Sequence, residues 1–250
     1  MSIADKLTTI ADNVQKVYEA GKAQGGGGIS EELMSTLWSA ITGQSLARDY
    51  TEVFMGLDFD NATYKPIFDL SPTIATSMFE SCSVGLEEEK QVDCIEYEPQ
   101  AEAYMDFYLC EKVNKAFYKC GLFKTLGTID LRNVTASPVN CFSQSTIQKI
   151  EAFYPPDLSM KTSFVNTSKL TYIGVESTVT NSISLQYCPL ENESAILFIQ
   201  HLKNYAGTDS AFVYTLTFSD EVWARLDALG NVSPNGNTWK DYCNDIGWNT

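Results

Sequence analysis

The side chains that could carry out chemistry in this sequence are few and widely separated. His201 is the only histidine in the 250 residues. A nucleophile–base site would need Cys188 or a serine beside it, with a third group to orient the imidazole ring. Nothing in the sequence indicates such an arrangement. The pattern therefore predicts that His201 is a surface or partly buried structural residue in the middle of a helix.

Paired carboxylates are a second candidate, because two acidic side chains on either side of a glycosidic bond can hydrolyse it. Asp58 and Asp60 flank Phe59, and three consecutive glutamates occupy positions 87–89. A run of like charges is typical of a solvated loop. We therefore expect no enzymatic activity, and a cell-wall glycoside hydrolase is the least favoured of the functions considered.

The cysteines and glycines do not form a recognisable cofactor site. A zinc site usually takes cysteines in C-x-x-C pairs, and none of the seven cysteines is spaced in that way. The glycine run 25–28 lacks a following lysine that could reach a phosphate. We expect no cofactor and no metal. Because seven is an odd number and no secretion signal is visible, we expect free thiols and synthesis in the cytoplasm.

The formal net charge of −15 argues against two classes of partner. Phosphate backbones and anionic membrane surfaces bind through clustered lysine and arginine, so we expect neither nucleic acid nor a membrane surface as a partner. No stretch approaches the ~18 consecutive apolar residues of a membrane helix, so we expect no membrane insertion.

The first 24 residues predict an amphipathic helix, which a flexible glycine linker at 25–28 follows. Its apolar residues alternate in steps of four and three, forming a heptad seam of Ile3, Leu7, Ile10, Val14 and Val17. Leucine at position a with isoleucine at position d favours three or four helices over two. Two interpretations remain: an oligomerisation helix in a trimeric coiled coil, or a helix packed on its own domain. Residues 29–76 contain a second predicted helix, from Ser30 to Gly43, and lead into the repeats.

Between residues 77 and 190 a short motif recurs. A phenylalanine is followed three residues later by Cys, Ser or Thr, at Phe79, Phe117, Phe142 and Phe164. The last three copies continue with an apolar pair: Phe123 with Leu126, Ile147 with Ile150, and Leu170 with Ile173. The last three phenylalanines are 25 and 22 residues apart, in the range of leucine-rich repeats, where each turn of a solenoid contributes one short strand.

Two parts of this region depart from a regular repeat. Leu185 replaces phenylalanine in a fading further copy, in which Cys188 takes the small-residue position. Cys82 and Cys120 share that position, which predicts a packing role for all three cysteines. The acidic segment 84–108 does not fit the motif, and it is either an insertion or a decayed repeat.

Several stretches resemble a known family. A resemblance to the BspA-type leucine-rich repeats of bacterial surface proteins is carried by FYKCGLFKTLGTIDLRNV, CFSQSTIQKI and SFVNTSKLTYIGV. Other stretches show a narrower resemblance, to repeat-bearing minor structural or tail-associated proteins of gut Firmicutes phages and prophages. These stretches are MSIADKLTTIADNVQKVYEAGK, YTEVFMGLDFDNATYKPIFDLSPT, HLKNYAGTDSAFVYTLTFSDEVWARL and SPNGNTWKDYCNDIGWNT. The family supplies no catalytic residues. We expect an α+β fold: an N-terminal helix, a short degenerate leucine-rich-repeat solenoid and an α/β C-terminal cap.

Residues 191–250 form that predicted cap, because a solenoid must close its exposed last turn. A helix from Glu191 to Tyr205 precedes an alternating strand that ends at Phe218. Ser219 and Thr238 are placed to cap two further helices. The first of these has Val222, Leu226 and Leu229 predicted to face inward, and the second has Trp239, Cys243 and Ile246 as its apolar residues.

Three functions from different classes follow. The favoured one is a phage virion protein of the tail, baseplate or fibre, which forms a homotrimer and binds a bacterial surface receptor or another virion protein. A bacterial surface adhesin is the alternative, and the glycoside hydrolase comes last. The candidate binding face consists of residues beside the buried strand positions: Lys124, Thr125, Gln148, Lys149, Thr171 and Tyr172. These residues either make contacts with a partner or are merely solvated.

Overall fold

The computed structural model describes residues 49–52, 54–56, 69–70, 72–83, 91–94, 104–105, 107–208, 213–230 and 232–250. Several predicted features lie outside these residues: the helix 1–24 with its seam of Ile3, Leu7, Ile10, Val14 and Val17, the glycine linker 25–28, the second helix, Asp58, Asp60 and the glutamate run 87–89. The described part combines three helices with small parallel sheets in a mixed α and β fold.

All strand pairings among the described residues are parallel. The strands are β1 (Asp69–Leu70), β2 (Val92–Cys94), β3 (Tyr104–Met105), β4 (Phe123–Asp130), β5 (Lys149–Tyr154), β6 (Tyr172–Val175), β7 (Ile183–Leu185), β8 (Tyr214–Phe218) and β9 (Trp248–Asn249). They form sheets in the orders β1-β3, β2-β4-β5-β6 and β7-β8-β9. Because parallel neighbours require a crossover connection, a stretch of chain outside the sheet joins adjacent strands.

The helices all lie in the C-terminal region of the described chain. They are α1 (Asn192–Gln200), α2 (Asp220–Asp227) and α3 (Trp239–Asp245). No helix of the described residues is long and apolar enough to cross a membrane.

The buried strand positions line up across the four-stranded sheet. Leu126 pairs with Ile150, and Ile150 pairs with Ile173. All three side chains are fully buried, as are the other members of the predicted apolar pairs: Phe123, Ile147 and Leu170. The predicted burial of these pairs is confirmed, and the aligned strands give them a common apolar row.

A column of stacked phenylalanines packs against the inner side of this sheet. Its ring centroids are 4.9 Å apart for Phe54–Phe79, 5.6 Å for Phe79–Phe117, 5.4 Å for Phe117–Phe142 and 4.9 Å for Phe142–Phe164. Rings in such pairs stabilise one another beyond the effect of their burial. Phe54 extends the column beyond the four copies of the motif. It does not match the motif, because the residue three positions later is Leu57 and not Cys, Ser or Thr.

Backbone hydrogen bonds join the chain segment of each phenylalanine in the column to the segment of the next. The N–H of each of the first four phenylalanines donates to the carbonyl of the residue before the next phenylalanine, at 2.7–3.0 Å. The small residue of the motif adds a side-chain bond in two turns. Thr167 Oγ1 donates to the Phe142 carbonyl at 3.1 Å, and Cys82 Sγ donates to the Phe54 carbonyl at 2.6 Å. Cys82, Cys120 and Cys188 are fully buried, which confirms their packing role.

Parts of the acidic segment 84–108 belong to the sheets and the core. Within it, β2 pairs with β4 and β3 pairs with β1. Phe107 is buried, and its ring centroid lies 5.7 Å from that of Phe117. These described residues therefore support the fold, so the segment is not purely a surface insertion.

A single side chain of α1 covers the edge of the four-stranded sheet. The fully buried Ser194 Oγ accepts a hydrogen bond from the Ile173 N–H at 2.8 Å and donates one to the Ile173 carbonyl at 3.1 Å. The Glu191 N–H donates to the Thr171 carbonyl at 2.8 Å. The Ile173 backbone groups, which another strand could pair with, are thus satisfied by Ser194 of the helix, which protects this part of the edge from further pairing.

Two predictions about these helices were wrong. His201 does not lie in the middle of a helix, because α1 ends at Gln200 and His201 is its C-cap residue. Leu229 does not face inward, because α2 ends at Asp227 and the Leu229 side chain is 42% exposed beyond it.

The capping predictions were confirmed. The Ser219 side chain accepts from the Val222 N–H, and the Thr238 side chain accepts from the Asp241 N–H. Each bond satisfies one of the unpaired amides that every helix start exposes. The other predicted apolar residues of these helices are buried: Val222, Leu226, Trp239, Cys243 and Ile246.

Candidate recognition face

The six predicted face residues come together in two rows across β4, β5 and β6. Thr125, Lys149 and Tyr172 are direct neighbours in the parallel register. The row before them is Lys124, Gln148 and Thr171. In that row the Gln148 N–H donates to the Lys124 carbonyl at 2.8 Å, and the Thr171 N–H donates to the Gln148 carbonyl at 2.9 Å. Lys124 is exposed and the other five residues are half-buried.

Lys149 is held between an acidic and an aromatic side chain. Its Nζ lies 2.9 Å from Glu151 Oε1 and 5.0 Å from the centre of the Tyr172 ring. The hydrogen bond to Glu151 raises the pKa of Lys149, so the ammonium group stays charged. An exposed ammonium over an aromatic face contributes only about 0.5–1 kcal/mol. We term Lys149, Glu151 and Tyr172 the Lys149 cluster. The contacts within this cluster therefore hold the side chains in a defined orientation and add little to the overall stability.

Gly174 sets how closely β6 approaches β5 beside this cluster. A Cβ atom added to Gly174 would lie 2.0 Å from the Glu151 carbonyl oxygen and 3.3 Å from the Tyr172 ring. The first distance is far below van der Waals contact, and the obstructing atom belongs to the backbone. The position of Tyr172 next to Lys149 thus depends on the absence of a side chain at Gly174.

A second cluster lies where the same strands end. Asp130 pairs with Tyr154 across β4 and β5. Arg132 donates from Nε to Asp130 Oδ1 at 3.0 Å and from Nη2 to Asp130 Oδ2 at 2.6 Å, and these hydrogen bonds raise the pKa of Arg132. The guanidinium carbon lies 4.5 Å from the centre of the Tyr154 ring and 5.7 Å from that of Tyr108. These four residues are here termed the Arg132 cluster.

Sequence reasoning missed the Arg132 cluster because its members come from three segments that share no motif. One local signal was present: Asp130 and Arg132 flank the buried Leu131 at a spacing of two, so both lie on the same side of an extended chain. Nothing in the sequence indicates that Tyr108 and Tyr154 join them.

The groups considered for catalysis have structural surroundings. Burial raises the pKa of the Cys188 thiol, which disfavours the thiolate that a nucleophile requires. His201 Nδ1 lies 2.8 Å from the Leu197 carbonyl oxygen. The described residues contain no group of three or more His, Cys, Asp or Glu side chains that could hold a metal ion. Among the described residues, the buried free thiols include those of Cys110, Cys120, Cys141, Cys188 and Cys243.

These features define the class of protein as a mixed α and β chain with parallel strands stacked on a phenylalanine column. Ion-paired aromatic clusters lie along the strands of its main sheet. Comparisons with protein-family models, with curated proteins and with solved structures found no match to this chain.

Proposed function

We propose that this chain is a phage virion structural protein of the tail, baseplate or fibre, which acts by binding and not by catalysis. In this proposal the phenylalanine column and its sheet form a short, degenerate leucine-rich-repeat solenoid. Its outer surface binds a bacterial surface receptor or a neighbouring virion protein. The chain is made in the host cytoplasm, and it assembles as a homotrimer without nucleic acid or membrane as partners.

The observation that carries the proposal is the row of Thr125, Lys149 and Tyr172 on three adjacent strands. Tyrosine offers a large contact area at low cost in conformational entropy, which is why binding surfaces are enriched in it. The ion pair with Glu151 orders Lys149 before any partner arrives. A surface that is ordered in advance loses less entropy on binding.

Two further observations support the proposal. Thr125 pairs with Lys149 and Lys149 with Tyr172, offsets of 24 and 23 residues that lie within the period of leucine-rich repeats. The buried free thiols among the described residues fit synthesis in a reducing cytoplasm. The phage assignment itself comes from the sequence resemblance of the stretch that begins at Met1 and of the C-terminal stretch that includes HLKNYAGTDSAFVYTLTFSDEVWARL and SPNGNTWKDYCNDIGWNT.

Replacing Lys149 and Tyr172 together by alanine is expected to weaken phage adsorption or virion assembly at least tenfold, because both contact groups leave the face. Adsorption is measured with purified particles carrying the variant, and assembly by counting particles that contain the protein. The matched control is Lys161→Ala with Tyr187→Ala, an exposed pair outside this sheet, which should change neither quantity. Unchanged adsorption and unchanged assembly in the Lys149 and Tyr172 variant would contradict the proposed face.

Deleting residues 1–24 is expected to convert a trimer into a monomer, because the heptad seam would hold the chains together. Ile10→Asp should do the same, since a charge buried in such a seam without a partner is strongly destabilising. Thr9→Asp, on the outer side of the same predicted helix, is the control. Light scattering of the four proteins gives the answer, and a trimer that survives the deletion would reject the oligomerisation role.

A further inference from the structure

The Lys149 cluster and the Arg132 cluster lie at opposite ends of one stretch of sheet. Lys149 begins β5 and Tyr154 ends it. Tyr154 is five positions after Lys149, a distance of about 16 Å at the usual rise per residue. The two clusters are therefore close enough for one elongated ligand to reach both.

Both clusters are on the outer side of the sheet. Lys149 and Glu151 are bonded to each other, while Ile150 between them is buried in the core. Phe153 is also fully buried, so Tyr154, the next residue of the extended strand, lies on the outer side. The pairing of β5 with β6 shifts register between Ile150 and Phe153, and both of these side chains are fully buried although they are three residues apart.

Glycines flank Glu151 on both neighbouring strands. Gly174 of β6 lies directly beside the Glu151 backbone. On β4, Gly127 lies opposite Glu151, since Leu126 pairs with Ile150 and Thr128 with Ala152. Neither glycine has a side chain beside Glu151, and the Glu151 side chain is 38% exposed.

The charges of the clusters indicate what such a ligand would be. Lys149 is neutralised by Glu151, and Arg132 is neutralised by Asp130. Although the chain has a net charge of −15, each cluster by itself is close to neutral. A charged partner would therefore gain little here, whereas the exposed parts of the Tyr108 and Tyr172 side chains and the fixed polar groups can contact a neutral one.

We propose that this surface binds a neutral oligosaccharide across the Lys149 and Arg132 clusters. The C–H faces of sugar rings carry slight positive charge and pack on the negative faces of tyrosine rings, for which Tyr172 and the half-exposed Tyr108 are placed. Sugar hydroxyls donate to carboxylate oxygens, and the Glu151 carboxylate of the Lys149 cluster is partly exposed. The inference rests on the proposed function, since it names the chemistry of the receptor.

The experiment screens the full chain on an array of neutral, acidic and sulfated oligosaccharides. We expect binding to neutral members, with an affinity that changes less than about twofold when salt is raised, because salt screens only charged ligands. Tyr108→Ala, Glu151→Gln and Tyr172→Ala should each raise the dissociation constant about tenfold, the loss typical of a central contact residue. Tyr187→Ala, an exposed tyrosine outside this sheet, is the control and should bind as the parent chain does.

The inference is overturned by the absence of binding to any neutral oligosaccharide, or by binding that Tyr108→Ala and Tyr172→Ala leave unchanged. Binding restricted to acidic or sulfated members, with steep salt dependence, would overturn it as well. If the array fails while the Lys149 and Tyr172 variant still weakens adsorption, the partner is a protein and the proposed function stands. If neutral sugars bind but adsorption and assembly are unaffected, the sugar site stands and the virion role fails.

Discussion

Replacing Phe142 by alanine is expected to lower the free energy of unfolding by about 3–5 kcal/mol, the range for phenylalanine removed from a packed core. Phe142 is fully buried and stacks on both sides, at 5.4 Å from Phe117 and 4.9 Å from Phe164. Its loss opens a gap in the middle of the column, where the two neighbouring rings cannot move together without breaking the backbone bonds between turns. Chemical denaturation followed by circular dichroism measures the change.

The control for Phe142→Ala is Tyr187→Ala, in which an aromatic side chain is removed from the surface. Tyr187 is 43% exposed, so its replacement should change stability by no more than about 0.5 kcal/mol. A loss below about 1 kcal/mol for Phe142→Ala would mean that the column is not a close-packed core.

Gly174→Ala is expected to destabilise the protein by about 1–3 kcal/mol or more, as overpacking of a core does. The added Cβ would meet the Glu151 carbonyl oxygen at 2.0 Å, so one of the two strands has to move. Because Tyr172 is two residues away on the same strand, the movement should also disturb the recognition face. The two readouts are the denaturation midpoint and the loss of partner binding.

Gly121→Ala is the matched control for this substitution. The nearest atom to a Cβ at Gly121 is the Cys82 carbonyl oxygen at 3.6 Å, an ordinary contact distance. That variant should be neutral or stabilised by about 0.4–1 kcal/mol, because alanine restricts the unfolded chain. Equal stability of the Gly174 and Gly121 variants would show that the close approach of β6 to β5 is not required.

The sequence predicted those features that depend on local chemistry or on a repeated pattern. The apolar pairs of the repeat were found by their spacing, and Leu126, Ile150 and Ile173 share one buried row. Ser219 and Thr238 were identified as helix caps because a short hydroxyl side chain before an apolar helix is suited to accept an amide hydrogen bond. The predicted face residues also lie together in the structure, because each of them is a sequence neighbour of a buried position that recurs in the repeat.

Features set by contacts between distant segments were not predicted. Lys115 and Lys119 have positive φ angles of 56° and 53°, which lysine does not favour. Their amides donate to the Val139 and Ser143 carbonyls of the next turn, and these bonds hold the backbone in that conformation. Ser194 satisfies the edge of β6 although no sequence rule assigns a helical serine to a strand.

The sequence by itself determined the repeat period, the buried apolar rows, the helix starts and the acidic character of the chain, because each follows from residue type and spacing within a short segment. Only the tertiary structure decided that Phe54 extends the column, that Leu229 is exposed beyond the end of α2, and that Tyr108 and Tyr154 meet over Arg132. The physical reason is that the parallel register brings together residues more than twenty positions apart, and which side chains then touch depends on close packing between turns rather than on either segment alone.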